Sequence, residues 1–418
     1  MLKSLYYKVK KIKIGNLIFD RIIRLLYTIF SLYLGANFLL NQDFILLQQI
    51  TLFQSFLLFA ISLPVNSILV RLGNSNLNYF KSLLISTFLL RSISGIVSIC
   101  LFSFYLIFSD FSFTDVVLIV FGLLPTLIST IFIIEILPHV FNFDGRKNWQ
   151  LIFIYLFFFI TKCLSIVLIK SLVIKIIVEL MEISLVVIWN YRTYLNSFYD
   201  KNLFSISKTR VRKLVRSSSG LYFNGILSVF ILRIDQFALI NFVDKKTLSS
   251  YMLIVSISSL FATPMGLLSE RLAYVLSIAK SESLLQFSKI SVKALYVFAI
   301  LSILSYLIFT ISFLKISHFF FKRDLNNLFI VALILGFSII SNSIGMIFGQ
   351  INSTLNGGVF TMKRSFMGCF ILLLFVNIGF KYFGLIGVAV ASSSSLFLTN
   401  VIFWFFSKKV RRIILINY

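Results

Sequence analysis

Charge is what this chain has least of. Asp, Glu, Lys and Arg make up only 13% of its 418 residues, about half their share in an ordinary soluble domain. With 59% of residues hydrophobic, too few polar side chains remain to cover a water-facing surface, so lipid is the outer solvent. Histidine occurs twice, as His139 and His318, each at the end of an apolar run. That leaves no material for a His-based metal or catalytic centre. The three cysteines, Cys100, Cys163 and Cys369, fall inside apolar runs without zinc spacing and without the setting of a disulfide framework. They read as small apolar residues. No Gly-x-x-x-x-Gly-Lys-Ser/Thr stretch is present, which excludes a P-loop ATPase. The longest polar stretch, 191–216, is too short for a soluble catalytic domain.

What fills the sequence instead is a series of apolar runs of about 20 residues, the length that crosses a ~30 Å hydrocarbon layer as a helix. Backbone groups in lipid must be satisfied internally, so only helices or closed barrels can span. A barrel would show short segments of alternating polarity, whereas these runs are continuous. The expected spans are 20–40, 44–70, 82–108, 114–137, 149–169, 171–190, 217–242, 248–276, 290–314, 325–350, 365–381 and 384–406. The fifth and sixth divide at Lys170-Ser171 and the last two near Lys381–Gly384. Lys3, Lys8, Lys10, Lys11 and Lys13 precede the first run, which reads as an uncleaved helix and not as a signal peptide. The basic stretch suits a membrane surface.

The basic residues orient the helices, because cytoplasmic loops are rich in Lys and Arg. With the N-terminus inside, the inside segments hold 24 of the 39 basic residues, and the first two outside loops hold none. Both termini are therefore expected on the cytoplasmic side. The net charge of +25 follows from this topology and from attraction to anionic lipid, so no nucleic-acid partner is implied. The basic linker 191–216 divides the chain into an N-terminal lobe, 1–200, and a C-terminal lobe, 201–418, of six spans each. Spans two and eight, equivalent under a parallel repeat of the two halves, each carry a mid-span proline, Pro64 and Pro264, and Pro125 lies in span four. Each removes a backbone bond and kinks its helix.

The informative residues are the ionisable ones inside spans. Each costs roughly 2.5–3.5 kcal/mol on insertion scales and belongs in the bundle interior or a water-filled cavity. Arg91 lies near the middle of span three and Lys162 at similar depth in span five. Glu179 and Glu182 share one face of span six, being three apart. Arg233 and Asp235 occupy the outer half of span seven and, two residues apart, point to different sides. Two readings stand side by side. In one, Lys162 or Arg91 pairs with Glu182 and locks the first half together. In the other, the cations line a cavity for an anionic headgroup, a task suited to the guanidinium fork. Glu135, Arg21, Arg24, Glu270, Arg271 and Lys293 sit near span ends, where snorkelling accounts for them. Asn342, Gln350, Asn352 and Asn356 cluster at the end of span ten, lining a hydrophilic path or bonding between helices. The run Ser392–Ser395 and Gly384 with Gly387 permit close helix approach.

Around span seven the chain reads Ile231-Leu232-Arg233-Ile234-Asp235-Gln236-Phe237-Ala238-Leu239-Ile240, followed by Tyr251, Ser258-Ser259-Leu260 and Pro264. This resembles the polysaccharide and O-antigen repeat-unit flippases of the multidrug/oligosaccharidyl-lipid/polysaccharide exporter superfamily. Gly384-Leu385-Ile386-Gly387-Val388-Ala389-Val390-Ala391 resembles their Gly-x-x-Gly-x-Ala-x-Ala stretch, and Leu90-Arg91 in span three is also similar. The Arg-x-Leu-Gly and Phe-Gly signature between spans one and two is absent: the chain has Leu34-Gly35-Ala36-Asn37-Phe38 and Asn41-Gln42-Asp43-Phe44 there.

The resemblance implies an all-α, MATE-like polytopic membrane protein of about twelve helices in two six-helix lobes, in the bacterial inner membrane. It implies a transporter and not an enzyme, needing no cofactor. The cargo would be an undecaprenyl-diphosphate-linked oligosaccharide, a repeat unit of O-antigen (lipopolysaccharide) or another surface polysaccharide, crossing to the periplasmic leaflet by alternating access. Arg233 and Asp235 would be cavity residues of the second lobe. Arg91 and Lys162 are first-lobe candidates from charge and depth alone. Glu179 and Glu182 are charge partners or, with Asp235, candidates for a coupling proton or sodium ion. A polymerase of the same pathway would be a partner. Two alternatives are open: an ion-coupled multidrug exporter of the same superfamily, whose cationic substrates fit a lumen of Arg91, Lys162 and Arg233 less well, and a membrane-embedded sugar polymerase, which calls for a large outer loop that is missing.

Overall fold

In the computed structural model the apolar runs form helices, and no strand occurs among the described residues, which are 29–62, 77–108, 111–132, 145–195, 208–240, 242–320, 325–355 and 358–415. The N-terminal lysines, Arg21, Arg24, Pro64, Arg71, Glu135, His139 and Asn356 lie outside them. The helices are α1 Ile29–Phe38, then α2 Asn41–Ser62, α3 Leu77–Ile107, α4 Phe113–Ile131, α5 Gly145–Leu164, α6 Leu172–Asn190, α7 Lys208–Ile240, α8 Lys245–Glu282, α9 Leu284–Lys315, α10 Phe329–Gly336, α11 Ser338–Thr354, α12 Gly358–Asn400 and α13 Lys408–Leu415. Each of the twelve expected spans overlaps one of them, α10 and α11 sharing the tenth and α12 the last two.

Local chemistry sets the breaks. Beyond α5, Lys170 takes a left-handed φ of 53° and Ser171 is extended, so α6 begins where the fifth and sixth spans were expected to part. The Asp244 carboxylate accepts from the Thr247 amide at 3.0 Å and caps α8. These bonds to Thr247 hold its carboxyl below the usual carboxylate range. Ser283 caps α9 in the same way through the Gln286 amide. The expected linker 191–216 is shorter than its charge suggested. Helical backbone continues through Tyr191–Leu195 and resumes at Lys208, because Lys and Arg are good helix formers.

Helix α12 is folded back on itself. Gly384 has φ 56° and ψ −138°, a conformation that L side chains rarely adopt. On either side the arms touch backbone to backbone: a Cβ built on Gly379 would lie 2.6 Å from the Gly387 carbonyl oxygen. Farther along, the Ser395 hydroxyl donates to the Gly368 carbonyl at 2.9 Å. Small residues thus let the two arms cross as a tight pair.

The chain forms two compact units, Met1–Tyr222 and Phe223–Tyr418, with α7 running across the boundary. In the first, α2 packs on α3 and α4, α4 on α6, and α6 on α5. In the second, α8 packs on α9 and α11, α11 on α9 and α12, and α10 on α12. The core of the second unit includes Met265, Phe287, Phe298, Ile347, Phe348 and Trp404. Val410 and Ile413 of α13 join it, while Lys408, Lys409, Arg411 and Arg412 stay exposed.

Candidate functional site

In the second unit, α7 brings two charged residues into the helix packing. Asp235 is 1% exposed. Its Oδ2 accepts from the Tyr251 hydroxyl of α8 at 2.7 Å, and its Oδ1 from the Gln236 amide at 2.8 Å. The Ser392 hydroxyl, in the second arm of α12, also bonds this carboxylate. Three elements therefore meet at one acid. Arg233 faces elsewhere, as its two-residue spacing from Asp235 requires, and forms no ion pair among the described residues. Its Nη1 donates to the Gln236 Oε1 at 3.4 Å. Gln236 is buried, and its Nε2 has no partner among the described residues. A buried donor left unpaired costs roughly 1–3 kcal/mol, so Gln236 Nε2, beside the Arg233 guanidinium, is a donor without a matching acceptor among the described residues.

A buried cation lies near the start of α12, whereas Arg233 is half-buried. Arg364 was expected in a loop, yet it is 8% exposed. Its Nη1 donates to the Thr399 carbonyl and to Asn400 Oδ1, both at 3.2 Å. Its guanidinium carbon lies 4.4 Å from the Trp404 ring centroid. Asn400 Nδ2 in turn donates to Asn342 Oδ1 at 2.9 Å. Arg364 makes no ion pair among the described residues, so neutral acceptors and an aromatic face replace its water. Only the fold at Gly384 brings Thr399, Asn400 and Trp404 beside it, which is why position in sequence alone hid it. Asn352 likewise bonds Thr361 at 2.7 Å. Asn342 and Asn352, two members of the span-ten polar cluster, thus bond between helices.

In the first unit Lys162 and Lys175 are each paired with a glutamate. Lys162 of α5 forms an ion pair with Glu182 of α6, both buried. Of the two partners open to Glu182, the structure gives it Lys162. Arg91 is 2% exposed, and its Nη1 donates to the Thr130 carbonyl at 2.8 Å. Thr130 lies in the last turn of α4, where carbonyls lack helical partners and carry partial negative charge. Glu179 pairs with Lys175 at 2.8 Å, one turn before it on α6. Lys175 was missed in the sequence, although the four-residue spacing to Glu179 is a visible signal. No group of three or more His, Cys, Asp or Glu suited to a metal ion occurs among the described residues.

No protein-family model matches the chain, and no curated protein matches it. Solved structures do. An inward-facing multidrug resistance MATE family transporter of the MOP superfamily is similar with a TM-score of 0.74 at 11% identity, over 94% of this chain and 95% of that one. A MATE in complex with MaL6 is similar with a TM-score of 0.68 at 12% identity, over 94% and 93%. A MATE in the bent conformation gives 0.66 at 13% identity, over 94% and 92%. Likeness at this identity is likeness of fold. The chain is a polytopic helical membrane protein with a MATE-like fold.

Proposed function

We propose that this chain is a flippase for a polyprenyl-diphosphate-linked oligosaccharide, undecaprenyl-diphosphate in a bacterial inner membrane, with both termini cytoplasmic. Transport would proceed by alternating access, the lipid tail remaining in the bilayer while diphosphate and sugars cross. The supporting observation is Arg233: a guanidinium inside a membrane helix, without an ion pair among the described residues, beside the unpartnered Nε2 of Gln236. That pairing of a cation with an open amide donor fits an anionic, hydroxyl-rich headgroup. Asp235, held by Tyr251, is the candidate for a coupling proton or sodium ion. Lys162 and Arg91, engaged with Glu182 and the Thr130 carbonyl, are proposed to stabilise the first lobe and to take part in the cavity less directly.

A multidrug exporter is the second reading, favoured by the multidrug transporter of similar fold. Purified protein in liposomes carrying a fluorescent polyprenyl-diphosphate oligosaccharide in one leaflet distinguishes the two. The flippase reading expects protein-dependent movement of label to the other leaflet and no uptake of cationic dyes. Dye transport without lipid movement would overturn it.

A further inference from the structure

Helix α9 has two opposite faces. Phe287, Ser288, Ser291, Ala294 and Phe298 are buried in the second unit. Lys289, Lys293, Tyr296 and Ile300 repeat at intervals of four, three and four, which places them in one stripe down the other side. Tyr296 is 58% exposed and Ile300 59%. With Val292 and Val297 they line a shallow groove of about 430 Å³.

Helix α13 marks the polar boundary on this unit. It buries Val410 and Ile413 and presents Lys408, Lys409, Arg411 and Arg412 outward, the pattern of a helix lying at a headgroup layer. The Ser288 hydroxyl donates to the Ile413 carbonyl, which sets Ser288 level with that helix. Lys293 is five residues farther along α9, or ~7.5 Å deeper at 1.5 Å per residue. It lies on the face turned from the core, where an ammonium loses hydration. Lys289 and Lys293 make no ion pair among the described residues. One turn apart, two like charges oppose each other unless an anion sits between them. Snorkelling brings the Lys293 ammonium up toward Lys289, which sets two like charges together above a tyrosine and an apolar stripe.

We propose that this groove binds an anionic phospholipid of the surrounding leaflet. The phosphate sits between Lys289 and Lys293, and an acyl chain lies along Tyr296, Val297 and Ile300. The site is independent of the transport reading and holds for any cargo.

Native mass spectrometry of the full-length, delipidated protein with added phosphatidylglycerol or phosphatidylethanolamine tests it. Phosphatidylglycerol is expected to bind preferentially. At roughly fivefold per lysine near a membrane surface, K289Q/K293Q weakens that binding about twenty-fivefold, and K289R/K293R restores it. Inorganic phosphate, lacking an acyl chain, does not displace the lipid. Both lysines are exposed, so folding is unaffected and is verified by an unchanged melting temperature. Neutralising Lys408, Lys409, Arg411 and Arg412 leaves most of the binding in place. Equal binding of the two lipids, unchanged binding by K289Q/K293Q, or loss that follows only the α13 variant overturns the proposal.

Discussion

The Tyr251 hydroxyl donates to Asp235 across 2.7 Å and ties α8 to α7 at a point where neither residue is exposed. A buried hydroxyl–carboxylate contact is worth roughly 1.5–3 kcal/mol in soluble proteins, and contacts inside membranes average only about 0.6 kcal/mol. Tyr251→Phe is therefore expected to cost stability by about 0.6–3 kcal/mol, read as a lowered melting temperature in detergent. If Asp235 carries the coupling ion, Asp235→Asn abolishes ion-driven transport while the protein keeps its abundance. Transport by Asp235→Asn at the wild-type rate would remove Asp235 from the coupling role.

The Lys162–Glu182 pair joins α5 to α6. Removing one member of a buried pair leaves a lone charge and costs roughly 3–5 kcal/mol. Lys162→Met is expected to be strongly destabilised, and K162M/E182L to regain most of the loss. The melting temperatures of the two singles and the double give the coupling. A double variant that is stable and still transports assigns the pair to structure alone, whereas a stable but inactive one returns it to the cavity.

Arg364 is held by Thr399, Asn400 and Trp404, with no carboxylate among its contacts in the described residues. Stacking of this kind contributes about 0.5–2 kcal/mol. Trp404→Leu is expected to lower the melting temperature, and Arg364→Lys to do the same despite keeping the charge, because an ammonium lacks the planar fork. Wild-type stability in Arg364→Lys would show that charge alone is what the position needs.

Gly384 turns α12 back with φ 56°, and nothing lies within 4 Å of a Cβ built there. A Gly384→Ala variant meets no clash, so its cost is conformational, on the order of 1–3 kcal/mol. Gly379→Leu acts differently, by forcing the arms apart at Gly387, and is expected to prevent accumulation of the folded protein. Expression followed by size-exclusion chromatography separates the two effects.

Much of the fold was legible in the sequence, because lipid allows so few backbone solutions that apolar run length nearly determines the helices. The breaks at Lys170-Ser171 and Gly384 carried local signals of their own. The side-chain partners were less legible. Glu182 had two cations within plausible reach, and only packing of α5 on α6 selected Lys162. Arg364 looked like a loop charge because Thr399, Asn400 and Trp404 reach it only through the fold at Gly384. The Lys175–Glu179 pair went unread although its members stand four residues apart on one helix.

The central claim is that Arg233 serves an anionic, lipid-linked cargo. Proteoliposomes carrying the fluorescent polyprenyl-diphosphate oligosaccharide test it with Arg233→Ala and Arg233→Lys at matched protein levels. Arg233→Ala is expected to abolish leaflet exchange while retaining the wild-type melting temperature, and Arg233→Lys to retain part of the rate. Exchange by Arg233→Ala at the wild-type rate would contradict it.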